Sequence, residues 1–178
     1  CRGGEVFGMH KMSDPESKYI MLLSDDTVIT KDALTNLVLL CSSNSDELIL
    51  NATSNCDNGW KYLFNFMLEK GNDQFLVTQR YFKMVDIVGY EEAMMNAQSL
   101  YLKAGILLAD TLCFYATLIP KKIWNDIGPL DEQFKTGYED SDYSHRAKIK
   151  GYQLGIAINA LIWHFGGIAT QTCLTDEI

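Results

Sequence analysis

Tyr19-Ile20-Met21-Leu22-Leu23-Ser24-Asp25-Asp26-Thr27 decides how this chain is built. Five apolar or aromatic residues run without a polar break and end on two adjacent carboxylates. A continuous apolar run marks a strand covered on both faces, and predicts a parallel or mixed sheet here. Ligands of open α/β sheets bind just beyond the carboxyl ends of the strands, which is where Asp25 and Asp26 fall. Neighbouring carboxylates repel, so a site that keeps both ionised supplies a cation or hydrogen-bond donors. Clustered carboxylate oxygens suit a hard divalent ion such as Mg2+ or Mn2+. A turn that caps the next helix accounts for the same two residues without any ligand.

Downstream, Thr30 is placed to cap a helix whose apolar positions Leu34, Leu37, Val38 and Cys41 follow helical spacing. Glu47–Asn51 reads as a second short buried strand, and strand, helix, strand makes a βαβ unit. Residues 52–109 are harder to read. They hold a turn at Asn55–Gly59, helical spacing over Trp60–Lys70, an aromatic and basic stretch at Phe75–Val88, and helix formers over Tyr90–Leu102. The Met and aromatic residues there suit a core or a lid. From Asp110 the pattern sharpens into a strand over Thr111–Ile119 and a helix opened by Pro120 and ended by Gly128-Pro129. Gly137 frees the backbone before a helix that starts at Tyr138-Glu139-Asp140-Ser141-Asp142, runs to about Lys150 and stops at Gly151. Tyr152–Ile158 and Leu161–Phe165 read as short strands.

The 178 residues, 47% hydrophobic and 11% aromatic, suit a single packed domain over 1–178. A net charge of -8 argues against nucleic acid as a partner, since that requires a basic face. No apolar run approaches the ~18 residues of a transmembrane segment, and no signal peptide is visible. Five scattered cysteines without a C-x-x-C pair argue against zinc and redox motifs. Cys41 and Cys113, in apolar stretches, read as small core residues. The expected compartment is the reducing cytoplasm, with the membrane periphery as its outer limit. Asn51-Ala52-Thr53 is a glycosylation sequon, a short match that nothing else supports. The start at Cys1 with a Gly-rich opening reads as the later part of a longer protein.

Two further groups carry chemistry. Glu139, Asp140 and Asp142 complement the helix dipole by ~0.3–1 kcal/mol each, and Asp142 is spaced to pair with Arg146. A carboxylate at a helix start facing a cleft can also take a proton from a hydroxyl. His164 ends an apolar strand beside Gly166-Gly167, a setting that matches Asp25-Asp26 but also suits a core histidine. His10 and His145 read as surface residues.

Taken in order, these pieces form a pattern: Ser24-Asp25-Asp26-Thr27, Gly128-Pro129-Leu130-Asp131-Glu132-Gln133-Phe134, Glu139-Asp140-Ser141-Asp142 with Arg146, and His164-Phe165-Gly166-Gly167. The chain thereby resembles the family-2 glycosyltransferases of GT-A fold. Their usual pattern is a D-x-D strand end, a G-x-(F/L)-D-E-x-F turn, an E-D-x-D-x-x-x-R helix start and a late H-x-G-G.

The resemblance implies a Rossmann-like α/β domain, a mixed but mostly parallel sheet flanked by helices, with 52–109 as the variable acceptor side. It implies that Asp26 and His164 hold Mn2+ or Mg2+, with Ser24 standing where many members have Asp. Asp25, Ser24, Gly3 and Gly4 would lie on the donor, a nucleotide-diphosphate sugar of UDP or GDP type. Asp140 would be the general base; Glu139, Tyr138 and Asp110 would face the acceptor, a saccharide or other hydroxyl compound. The strands that hold the base and ribose in such enzymes precede this sequence, so a separate N-terminal segment is an expected partner.

The expected activity is inverting sugar transfer dependent on metal. One alternative is a truncated or inactive glycosyltransferase-like module that binds a sugar or a partner. A Mg2+-dependent phosphotransfer or hydrolase domain built on Asp25-Asp26 leaves His164 and Asp140 without a role.

Overall fold

A computed structural model describes residues 14–54, 105–134 and 137–164. Gly3, Gly4, His10, the expectations over 55–104 and Gly166-Gly167 lie outside these residues.

The deciding stretch forms strand β1 (Tyr19–Leu23). Its residues alternate between two apolar clusters. Ile20 and Leu22 join one that contains Ile119 and Trp163, and Tyr19 and Met21 pack against another that contains Leu50 and Leu118. Both faces of the sheet are covered, which is why the run has no polar break. Helix α1 (Ala33–Ser43) covers one face through Ala33, Leu37 and Cys41, while Leu34 is exposed. Thr30 does not cap it by its side chain; its hydroxyl donates to the Leu161 carbonyl at 2.7 Å. Helices α2 (Lys121–Ile127) and α3 (Glu139–Ile149) cover the other face with Ile123, Trp124, Tyr143 and Ala147. A fully buried side chain of the size of Leu37 or Ile123 contributes about 1.5–3 kcal/mol.

The remaining strands are β2 (Thr27–Ile29), β3 (Leu48–Ser54), β4 (Ile106–Leu108), β5 (Ala116–Pro120) and β6 (Gln153–His164). Their order is β1-β5-β3-β6-β2, with β4 also on β6. The mixed α/β class stands, but the mostly parallel sheet does not. Among the described strands only β3 and β6 pair in parallel; β1–β5, β3–β5, β2–β6 and β4–β6 are antiparallel. Burial on two faces makes a strand apolar whichever way it runs, so the hydrophobic pattern carries no direction. The βαβ unit is altered in the same way. β1 and β3 do run the same way, but antiparallel β5 lies between them.

Three local expectations also change. The strand expected from Thr111 begins at Ala116, because the chain before it crosses α3, where the Leu112 N–H donates to Ser144 Oγ at 3.1 Å. The two short strands near the end are one strand, β6, with a break in register inside it. Cys41 is buried as expected, whereas Cys113 is exposed. Asn51 is buried within β3 and accepts the Thr117 hydroxyl, so the sequon is closed to modification in the folded chain.

Candidate functional site

Strands β1, β3 and β6 point the same way, so their carboxyl ends share one edge of the sheet. Residues Ser24–Asp26 leave β1 at that edge, and His164 ends β6 there. The turn is held at several points. The Ser24 N–H donates to the Tyr115 carbonyl at 2.8 Å, and the Thr27 hydroxyl donates to the Ser24 carbonyl at 2.6 Å. Thr27 then stands opposite His164 in the β2–β6 ladder.

This register brings Asp26 and His164 together, with Nε2 3.2 Å from Oδ1 and side chains 18% and 11% exposed for His164 and Asp26 respectively. The Ser24 hydroxyl donates to the same Oδ1 at 2.6 Å. Burial pushes the Asp26 carboxyl up, but the Ser24 hydroxyl and the His164 ring outweigh it and hold it below the ordinary carboxylate value. Tyr115 stacks on the His164 ring, centroids 4.9 Å apart, and its own hydroxyl donates to the Ala52 carbonyl at 2.7 Å. Asp25, by contrast, is exposed on the turn.

A second component is directed toward the same end of the sheet. Helix α3 leads directly into the start of β6, with the Tyr152 N–H bonded back to the Ala147 carbonyl at 3.1 Å. It therefore runs back along the sheet, and its first turn is carried toward the edge where β6 ends. The segment before β5 tracks it, from Asp110 beside Lys148 to Phe114 against Tyr143. That first turn holds Glu139, Asp140 and Asp142, with Arg146 and Lys148 in the last turn, both matched to the helix dipole. Glu139 is buried, whereas Asp140 is partly exposed and accepts from the Ser141 N–H at 2.7 Å. Gly137 and Tyr138 precede them with φ of 88° and 71°. A tyrosine in the left-handed region is strained, and this one is 75% exposed.

Of the expected residues, Ser24, Asp26 and His164 come together, and Asp110 lies away from them. It follows β4 near the start of β6, at the opposite end of that strand from His164, and its carboxylate pairs with Lys148 at 2.6 Å. The Lys148 ammonium holds its carboxyl below the ordinary value. His145 is exposed, as expected. Tyr115 is the neighbour that the sequence did not announce; its aromatic ring at the start of an apolar strand has no feature to separate it from core.

Among the described residues, no three of His, Cys, Asp and Glu gather as a metal-holding group. The Asp26–His164 pair nevertheless fits part of one. Two adjacent ligands of an octahedral ion with bonds of ~2.1 Å stand about 3.0 Å apart, close to the 3.2 Å between Oδ1 and Nε2. Asp26 and His164 would supply an oxygen and a nitrogen ligand to such an ion, which would add positive charge at this edge. No protein-family model matches the chain, and no curated protein matches it.

Proposed function

We propose that this chain is a metal-dependent, inverting glycosyltransferase domain of GT-A type, moving a sugar from a nucleotide-diphosphate sugar to an acceptor hydroxyl. One observation carries this reading: Asp26 and His164 meet at the carboxyl ends of β1 and β6, the edge toward which α3 directs Asp140. The covered mixed sheet is compatible with such a domain, as is the order of motifs along the chain.

Asp140 takes the proton of the acceptor hydroxyl as its oxygen forms a bond to the anomeric carbon. On the opposite face the bond from that carbon to the diphosphate oxygen breaks, and the electron pair leaves with the diphosphate. One displacement of this kind inverts the anomeric centre and needs no enzyme nucleophile. When bound by Asp26 and His164, Mn2+ or Mg2+ supplies positive charge against the charge that grows on the leaving diphosphate. A single positioned carboxylate base contributes about 10²–10⁴-fold. Glu139 and Tyr138 flank the base, and Ser24 fixes the orientation of the Asp26 carboxylate.

Among the described residues only Asp26 and His164 come together as such ligands, which favours a second reading, a module that binds a sugar or a partner without turnover. Calorimetric titration of Mn2+ with UDP, then with GDP, into the chain and its Asp26→Ala variant tests both. Metal-dependent nucleotide binding that disappears in the variant is the expected result. Binding without transfer to any hydroxyl acceptor selects the module, and nucleotide binding that needs no metal and survives Asp26→Ala overturns the proposal.

A further inference from the structure

The side chains of β6 exchange faces half-way along the strand. Leu154, Ile156 and Ile158 join the cluster under α2 and α3, while Ala157 joins the one under α1. Beyond Asn159 the parity is reversed: Leu161 and Trp163 lie with α2 and α3, and Ala160 and Ile162 with α1. The cause is visible in the register with β3. Ala52 stands opposite Ala157, but Thr53 stands opposite Leu161, so Ile158, Asn159 and Ala160 are extra. An odd number of extra residues swaps every later side chain to the other face.

His164 is the residue for which this matters. Unbroken alternation would set it with Leu154, Ile156 and Ile158, on the side of α2 and α3. The swap sets it with Ala160 and Ile162, on the side that contains Tyr115, whose ring stacks on it. The bulge also marks where β6 changes neighbour, from β4 up to Ala157 to β2 from Ile162 onward. Three side chains donate to carbonyls around this break, one of them, that of Leu161, also accepting the Thr30 N–H at 3.4 Å. Thr53 Oγ1 donates to Ala157 O at 2.9 Å, Asn36 Nδ2 to Asn159 O at 2.6 Å, and Thr30 Oγ1 to Leu161 O at 2.7 Å.

We infer that the Ile158–Ala160 bulge is the device that turns His164 toward Asp26, and that Asn36 and Thr30 are the positioning residues that hold it. The aiming stands on geometry alone; its use in holding a metal ion rests on the glycosyltransferase reading. NMR of the metal-free chain with labelled histidine and tyrosine tests the aiming directly. Asn36→Ala and Thr30→Val are expected to stay folded yet lose the cross-relaxation between the His164 and Tyr115 rings. Thr30→Ser, which keeps the hydroxyl, restores it. Ser43→Ala removes a hydroxyl bonded within α1, to Leu40 O, and leaves the signal intact.

Folded Asn36→Ala and Thr30→Val proteins with wild-type cross-relaxation overturn the inference. Should either variant fail to fold, the wild-type Asn36 side-chain amide decides: slow hydrogen exchange supports its hold on Asn159, and free exchange overturns it. A titration with Mn2+ alone separates the aiming from its use. Under the metal reading the same variants weaken affinity about 10–100-fold. If the variants lose the His164–Tyr115 signal and even the wild type binds no Mn2+, the aiming device is upheld and the metal is removed from it.

Discussion

Replacing Asp26 by Asn keeps the shape of the side chain and removes its charge. The carboxylate accepts a 2.6 Å hydrogen bond from Ser24 and lies 3.2 Å from His164, with little of its surface open to solvent. Hydrogen bonds to a charged group contribute about 1.5–3 kcal/mol and neutral ones about 0.5–1.5, so the neutral amide forfeits about 1 kcal/mol per contact. Two such interactions give an expected loss of about 2 kcal/mol at pH 7, measured by urea unfolding followed by tryptophan fluorescence. Because the folded carboxyl is held below its ordinary value, this stabilisation is present above the unfolded pKa and is lost as pH falls through the folded one. The gap between wild type and Asp26→Asn therefore closes in acid. Ser24→Ala supplies the cycle: in the Asp26→Asn background its cost shrinks, because the charged acceptor is already gone. Equal stability of Asp26→Asn and wild type at pH 7, or a gap that ignores pH, would refute the account of this turn.

Tyr19→Phe removes the hydroxyl that donates to Asp46 Oδ1 at 2.6 Å, a part-buried contact for which about 1.5 kcal/mol is expected. Burial first, then Asp46, pushes the Tyr19 hydroxyl from 10.0 up to about 12. Its stabilisation is thus complete below pH 10 and lost as pH rises toward 12, and unfolding midpoints of the two proteins should converge over that interval. Gly155→Ala adds a Cβ 2.6 Å from Ile106 Cγ2, overpacking that costs about 1–3 kcal/mol. Ile106→Ala in the same chain should recover part of it, and a neutral Gly155→Ala would mean that β4 shifts freely. Under the glycosyltransferase proposal, Asp140→Asn should lower sugar transfer roughly 10²–10⁴-fold while nucleotide and Mn2+ affinity hold, as read by initial rates beside calorimetry; a mild effect removes the base assignment.

The sequence made legible what depends on local chemistry. The run at Tyr19–Leu23 announced burial on two faces, Gly137 and the acids after it announced the start of α3, and Gly151 its end, with φ of 87°. The Asp142–Arg146 spacing gave a 2.8 Å ion pair. Strand direction was not legible, because an apolar strand reads the same either way and β5 reaches its place between β1 and β3 only through long-range pairing. The approach of Asp26 to His164 joins residues far apart in the chain, and only the family resemblance brought them together in advance. The gap between the two short strands expected near the end, from Ile158 to Leu161, coincides with the bulge. Asn159 interrupted the apolar pattern there, but no local signal tells that three residues are extra.

What unites these features is that each side of the edge is fixed by a contact away from it. Ser24 is tied to Tyr115, which is tied in turn to Ala52. His164 depends on the carbonyls held by Asn36 and Thr30. Helix α3 is bolted by Arg146, whose Nε donates to Asp142, whose other nitrogens donate to the carbonyls of Ile127 and Pro129, and whose guanidinium lies 5.0 Å over the Tyr143 ring. Those carbonyls belong to the last residue of α2 and to the turn after it, so the helix that carries Asp140 is locked to the same layer that packs on β1. Sites set on strands and helices braced this way hold their geometry more closely than sites on loops. The left-handed Tyr138 is the exception, an exposed and strained residue next to the proposed base. Strain of this kind persists only where its surroundings over-determine it, and the Arg146 clamp behind the first turn of α3 provides such surroundings.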